Sequence, residues 1–415
     1  MTAAVDGMLR PGLRLTSLRL RRAHFKPGQK LALYYDAAVD PDRFRTPLAV
    51  TWWAGRSDVD PRLASLEQRI LASGVRTPFT NLWRTERDDT LLITVAPLDP
   101  VFPSLLPLVD ARPGEAPALS PGGVEAGGSG TVAFVRYRPG QRHVLAYRRG
   151  RRVAFAKLYR PGESQPVASA VSSFADATRA ADSGVVQAIS LESVLDADDA
   201  LLYAGLPGVP LSRHLRAGRP VTDEVLLYVG RWLRAVHSNH DVSAFPHRVL
   251  ADESRRALRA CAAMRGLSAR HADRAAALIA VTAERLDRLG AERAALVHGD
   301  MKAEHVLCAA HRISVLDTDG CAAADPALDL GKLLADLRWW AWLYARPDRG
   351  IAAEAALLDA YMPSAARLSR ARLWAALFLV KMAGRRVSVA RRDWRQRTAA
   401  VLDLSARALE ADRGR

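Results

Sequence analysis

The sequence predicts an α+β chain in which a small strand-rich lobe leads into a large helical lobe, with an additional α+β unit in front. Three observations predict it. Strand-like runs follow closely on one another at Thr131 to Tyr137, His143 to Arg148 and Val153 to Tyr159. From Thr222 onward the apolar residues recur with the helical period of about 3.6. Between the first unit and the strands lies ARPGEAPALSPGGVEAGGSG, which is rich in Gly, Pro, Ala and Ser and reads as a flexible linker. The expected organisation is therefore 1–110 as an N-terminal α+β unit, 111–130 as linker, 131–205 as strand-rich lobe and 206–415 as helical lobe.

The elements follow in order. Phe25-Lys26-Pro27-Gly28-Gln29-Lys30-Leu31-Ala32-Leu33-Tyr34-Tyr35 matches Tyr137-Arg138-Pro139-Gly140-Gln141-Arg142-His143-Val144-Leu145-Ala146-Tyr147. In both, alternating residues flank a Pro-Gly turn, the pattern of a hairpin. The first unit continues with strands at Leu48 to Trp53 and Thr90 to Ala96 and a helix around Arg62 to Ser73. After the three central strands come a helix at Ala168 to Ala181 and strands at Val185 to Leu191 and Ala200 to Gly205. The helical lobe then offers Asp223 to Ser238, Ala251 to Met264, Ala272 to Leu289, Ala327 to Tyr344, Ala352 to Ala360, Arg367 to Arg386 and Asp393 to Ala411. Ligands of such unequal two-lobed designs sit between the lobes.

Composition narrows the class. The 415 residues are 49% hydrophobic, enough for a real core. No run approaches the ~20 apolar residues that a membrane helix needs, and Met1 to Arg14 lacks an apolar signal core. A cytoplasmic protein without a membrane partner is expected. Cys261, Cys308 and Cys321 lack metal-ligand spacing and read as inert thiols. The net charge of +16 taken alone suggests a polyanion. Yet the Arg residues are spread over the chain and no nucleic-acid motif accompanies them, so nucleic acid is disfavoured. Only six of the 60 basic residues are Lys: Lys26, Lys30, Lys157, Lys302, Lys332 and Lys381. Where Arg is the default cation, each retained Lys is informative, since its compact ammonium differs from the guanidinium fork.

Chemistry concentrates in His298-Gly299-Asp300-Met301-Lys302-Ala303-Glu304-His305, followed by Leu316-Asp317-Thr318-Asp319-Gly320. Phosphoryl transfer needs a carboxylate to orient the attacking hydroxyl, a cation for the migrating phosphate and ligands for Mg²⁺. Asp300 enters a turn after the apolar run Ala295-Leu296-Val297 and is expected to orient the acceptor hydroxyl. Lys302 would set an ammonium on the transferring group. Asp317, at the end of Ile313 to Leu316, suits a metal ion bridging terminal phosphates, while Asp319 reads as a turn residue. Asp329 is expected to brace the catalytic loop. Lys157 shares the strand face of Val153 and Phe155, where an ammonium is costly unless it meets an anion.

These residues resemble the protein-kinase-like fold, most closely its aminoglycoside phosphotransferase and choline kinase branch. The family's catalytic loop, metal motif and brace are matched here by His298-Gly299-Asp300, Leu316-Asp317-Thr318 and Asp329-Leu330-Gly331. The resemblance covers about 130 to 390 and implies a bilobal kinase-like fold that uses ATP and Mg²⁺. Ala200 to Leu211, with Tyr203 and Gly205, looks like the hinge whose backbone holds the adenine. Pro139-Gly140-Gln141-Arg142 stands where the family's phosphate-covering turn would be. Three departures stand out. His305 replaces the metal-binding Asn, so either His305 binds metal in an altered way, Mn²⁺ substitutes for Mg²⁺, or one metal is missing. No clear Glu pairs Lys157; Asp176 is the best candidate, ahead of Glu163. Lys302 and Glu304 make the loop read like the His-Arg-Asp-Leu-Lys-Pro-Glu-Asn loop of Ser/Thr kinases.

The resemblance and the residues together imply transfer of the γ-phosphate of ATP to a hydroxyl of a small molecule such as a sugar or aminocyclitol. A polycationic aminoglycoside is a poor match for a chain of charge +16. Alternatives are a peptide or protein Ser/Thr kinase, suggested by Lys302, and a nucleotide-binding pseudokinase, suggested by His305. In the last, the N-terminal unit would hold a protein partner.

Overall fold

In this computed structural model of the protein the described residues are 1–41, 44–55, 59–87, 89–110, 131–181, 184–219, 221–290 and 292–411. The stretch 111–130, expected as linker, lies outside them. The chain divides into two compact units, Met1–Ala168 with Leu191–Gly205, and Ser169–Ser190 with Leu206–Arg415.

In the first unit a short helix α1 (Thr2–Asp6) precedes β1 (Arg14–Lys26), β2 (Lys30–Asp40) and β3 (Phe44–Trp53). Helix α2 (Arg62–Ala72) then leads to β4 (Trp83–Glu86) and β5 (Leu91–Val95), and α3 (Leu105–Asp110) follows. The strands form one antiparallel sheet in the order β1-β2-β3-β5-β4. Helix α2 buries Leu63, Leu66 and Ile70, the i, i+3, i+7 stripe of an amphipathic helix. They meet Leu48, Val50, Ile93 and Val95 from the sheet.

The second sheet begins with β6 (Thr131–Arg138), β7 (Arg142–Arg149) and β8 (Arg152–Leu158). The chain leaves the unit through α4 (Ser164–Thr178) and β9 (Val186–Ala188), and returns as β10 (Ser193–Leu195) and β11 (Ala200–Ala204). Its order is β6-β7-β8-β11-β10. Both sheets therefore carry three meandering strands, a helix, and a final pair inserted with its last strand next to the third. The repeat seen in the sequence is the tip of this shared topology. Lys26 pairs with Lys30 and Arg138 with Arg142 at the two tips, and Gly28 and Gly140 have φ of +66° and +70°. Each glycine follows a Pro in a tight turn that requires positive φ at that place. The two sheets share a core in which Ala32, Tyr34, Phe102, Leu105 and Leu108 meet Leu145, Tyr147, Ala154, Ala156 and Leu158. In β8, Ala154, Ala156 and Leu158 face this core, while Val153, Phe155 and Lys157 lie half-buried on the other face, as strand alternation requires.

The second unit is predominantly helical. Strand β12 (Val209–Pro210) precedes α5 (Leu211–Ala217), α6 (Val221–Val236), α7 (Leu250–Arg265) and α8 (Ala269–Arg288). Strands β13 (Ala295–Val297), β14 (Val306–Cys308), β15 (Ile313–Val315) and β16 (Ala322–Ala324) come next. Helices α9 (Ala327–Leu343), α10 (Pro347–Tyr361), α11 (Ala365–Arg385) and α12 (Trp394–Glu410) complete it. β12, β14, β15 and β9 make a small sheet, and β13 pairs with β16. Helices α9 and α11 approach closely at Gly331, where a Cβ would stand 2.6 Å from the carbonyl oxygen of Ala371. All three cysteines are buried and free, and burial pushes the Cys261 thiol up to about 12. Among the described residues no helix is long and apolar enough to cross a membrane.

Candidate active site

The wholly buried strand β13 gives the loop that follows it a fixed starting point. The backbone N–H groups of His298 and Gly299 donate to the two oxygens of Asp329 at 2.6 and 2.8 Å. Gly299 lies at φ +78°, and a side chain there would run into the carbonyl of Gly320, so only glycine serves. Its own carbonyl accepts from Arg248 Nη1 at 2.7 Å. Further along, the N–H of Ala303 donates to Asp336 at 2.8 Å. Asp336 also accepts from Trp340 Nε1 and pairs with Arg386 at 2.6 Å. Two buried carboxylates thus hold the loop backbone from α9, since a loop buried this deeply must find partners for its amides.

Asp329 is fully buried. Burial raises its pKa, but the hydrogen bond and charge of His237 and the proximity of His298 outweigh that and leave it lowered. His298, equally buried, donates through Nε2 to Leu316 O at 2.9 Å and accepts the Asp300 N–H at Nδ1. Burial lowers its pKa, consistent with a neutral ring whose two nitrogens take opposite roles.

On this scaffold stands Asp300. Its Oδ2 lies 2.9 Å from Lys302 Nζ and its Oδ1 3.4 Å from Lys332 Nζ. Burial opposes its ionisation, yet Lys332, Lys302 and His305 together hold the carboxyl well below the usual carboxylate range. Lys332 is buried, and that burial lowers its pKa despite the pull of Asp300.

Asp317 is displayed at φ 62°, a left-handed conformation that Asp tolerates better than most residues. Its Oδ2 is 3.0 Å from His305 Nε2, while His305 Nδ1 is 3.1 Å from the carbonyl of Asp300. Both imidazole nitrogens face acceptors, whereas a neutral ring has one N–H. His305 Nε2 and the Asp317 carboxylate thus face one another as donor atoms for a cation. Ligand atoms of Asp300, His305 and Asp317 lie within 4.8 Å of one another. Two carboxylates and an imidazole fit a divalent cation: the oxygens suit Mg²⁺, and the imidazole admits Mn²⁺ as well.

Asp300, Lys302, His305, Asp317 and Asp329 thus come together in the second unit. Lys157, Arg142, Tyr203 and Gly205 belong to the first. There Lys157 Nζ lies 4.9 Å over the ring of Tyr203, and the guanidinium of Arg142 5.1 Å over Tyr159. Gly205 spends its N–H on Val153 O at 2.6 Å, and a Cβ would stand 2.6 Å from that same oxygen. Its amide is committed to the backbone of β8 rather than offered to an adenine. Asp176, named as the partner of Lys157, is two-thirds exposed and pairs at 2.5 Å with Arg179, the residue just past the end of α4. Sequence reasoning missed Lys332, Asp336 and Arg248 as parts of the site. A signal existed for the first two: Asp329, Lys332 and Asp336 recur at i, i+3 and i+7 on one face of an otherwise apolar helix.

Residues 135–374 match the model of the phosphotransferase enzyme family. A search of curated proteins finds no match. Among solved structures, the chain is similar to a choline/ethanolamine kinase family protein from Mesorhizobium loti. The identity is 16%, covering 73% of this chain and 92% of that one, with a TM-score of 0.46. A spectinomycin phosphotransferase in complex with ADP and spectinomycin is 12% identical over 68% of this chain and 93% of its own, with a TM-score of 0.47. An ethanolamine kinase of Plasmodium vivax is 10% identical over 68% and 83%, with a TM-score of 0.45. The family match runs from β6 into α11, over more than half of the chain and through every residue of the loop described above, and the chain therefore belongs to the phosphotransferase enzyme family, as a kinase-like transferase acting on an alcohol group.

Proposed function

We propose that the chain transfers the γ-phosphate of ATP to a hydroxyl of a small molecule that is neutral or anionic. The observation that carries this reading is Asp300 held ionised between Lys302 and Lys332, beside the His305–Asp317 pair. In this reading the Asp300 carboxylate orients the acceptor hydroxyl and receives its proton late. Lys302 offsets the charge that develops on the migrating group. A divalent cation held by Asp317 and His305, when bound, supplies further charge on the terminal phosphates. Lys157 and Arg142 are assigned to the phosphates, and the strand end at Tyr203 to the adenine.

The acceptor class follows from charge. Asp300 faces Lys302 and Lys332, and the positive field of Arg386 also reaches Lys332. A polycationic aminoglycoside would meet repulsion there, whereas a sugar, a cyclitol or a carboxylated metabolite would not. A peptide Ser or Thr acceptor is the second reading, favoured by the direct contact of Lys302 with Asp300 at 2.9 Å.

A screen of hydroxyl metabolites and Ser/Thr peptides for ATP-dependent mass gain of one phosphate identifies the acceptor. With it, Asp300→Asn and Asp317→Asn should each lower turnover by about 10²–10⁴-fold. Wild-type turnover in Asp300→Asn, with Mg²⁺ or Mn²⁺ supplied, would sink the assignment.

A further inference from the structure

The tip of the β6–β7 hairpin is bound on several sides by side chains of the first unit. Asp99 is 2% exposed. Its Oδ2 accepts the Gly140 N–H at 2.8 Å and lies 2.8 Å from Nε2 of His143. Its Oδ1 accepts the N–H of Val101 at 2.9 Å. His143 is fully buried, with its ring edge-on to Phe102 at 4.7 Å. Tyr137, last but one in β6, donates its hydroxyl to Leu98 O at 2.6 Å. Gln141 donates from Nε2 to the Tyr34 hydroxyl at 2.8 Å, and Arg160 Nη2 donates to Gly140 O at 2.6 Å. The matching tip at Gly28 has the same turn, but among the described residues no carboxylate meets its N–H.

This arrangement is costly as plain packing. A carboxylate taken out of water is stabilising only where its hydrogen bonds are complete, and apolar side chains of the same volume would serve a core as well. The first sheet is also not a second nucleotide lobe. Two residues past the tip, Val144 pairs with Lys157, but Ala32 pairs with Thr51. The repeated topology therefore lacks the ammonium at the matching place. What it retains is contact with the neighbouring tip.

From the buried Asp99–Gly140–His143 contacts we infer that Asp99 is a positioning residue for nucleotide phosphates, and that the Leu98 to Phe102 segment between β5 and α3, with Tyr34 of β2, acts as a fixed backing for the phosphate-covering turn. This rests on the reading of Pro139 to Arg142 as that turn in an ATP-dependent enzyme. The Gly140 amide is engaged by Asp99 from the core side, so it is not a phosphate ligand. Its restraint sets the backbone from which Arg142 leaves. A preset turn spares the nucleotide the entropy of ordering it.

The test uses the full chain and calorimetric titration with Mg²⁺-bound AMP-PNP, a non-hydrolysable ATP analogue, and with adenosine, which has no phosphates. Asp99→Ala should weaken AMP-PNP about tenfold while leaving adenosine affinity unchanged. Asp99→Asn, which keeps one acceptor for Gly140, should recover part of the loss. Because Asp99→Ala strips a buried anchor from the fold, Gln141→Ala and Tyr34→Phe are measured beside it, and should each weaken AMP-PNP about threefold with adenosine unmoved. Wild-type AMP-PNP affinity in these folded variants overturns the inference, as does an equal loss for both ligands, which would mark a merely structural role. A wild-type chain that binds no AMP-PNP overturns the nucleotide reading first, and this inference with it.

Discussion

At the scale of the residue, the site is governed by how buried charges are compensated. Asp329 accepts two backbone N–H groups, and an amide at that place would turn an NH₂ toward one of them. Asp329→Asn should therefore destabilise the chain by about 2–4 kcal/mol, read by urea unfolding. Lys332 behaves oppositely. It is a buried cation whose burial already opposes its charge, and Asp300 keeps Lys302 without it. Lys332→Met should leave stability equal or higher while lowering turnover about tenfold or more. Unchanged turnover would remove Lys332 from the site, and a loss of stability together with turnover would mark a packing role. The clustering of Asp300, Lys302, Asp317 and Asp329 was legible because each follows or flanks an apolar run in a recognisable spacing. Lys332 was singled out by composition, six Lys among 60 basic residues, but its role was not, because helix α9 is apolar nearly all round and masks its polar stripe.

At the scale of the element, close approach decides what each helix tolerates. Helices α9 and α11 meet across Gly331, where an added methyl would press on Ala371 O. Gly331→Ala should lower stability by about 1–3 kcal/mol through overpacking, despite the better helix propensity of Ala. Differential scanning calorimetry reads this as a drop in Tm. An unchanged Tm would mean that the two helices can part at no cost. Helical periods placed α6, α9, α11 and α12 to within two residues of the structure, because amphipathic or apolar periodicity is a local signal. The short strands β13 to β16, three residues each, have too few residues to show a period, and only tertiary pairing defines them.

At the scale of the whole molecule, the strong positive charge is handled by particular acids rather than by overall balance. Glu253 on α7 is fully buried and pairs with Lys381 of α11 at 2.9 Å and with Arg248, whose other arm reaches the Gly299 carbonyl. Burial opposes its ionisation, but Lys381 and Arg248 bring its pKa down from the ordinary 4.5 to about 2. A depressed carboxyl contributes stability at pH above its unfolded value and loses it as pH falls through its folded value. Stability should thus decline by about 3 kcal/mol from this group between pH 4.5 and about 2. Chemical denaturation across that range, with Glu253→Gln/Lys381→Met as the reference, isolates the contribution. Equal slopes for the two proteins would remove Glu253 as its source.

The sequence by itself determined the family, the helical half, the paired hairpin tips and the carboxylates that cluster around the His298–His305 loop, since these depend on neighbours a few residues away. Only the tertiary structure decided which cations compensate Asp300, that His305 lies between Asp300 and Asp317, and that Asp99 seizes a turn 41 residues on. Those are contacts between side chains distant in sequence, and their energy comes from burial and dielectric, which no local pattern of residues records.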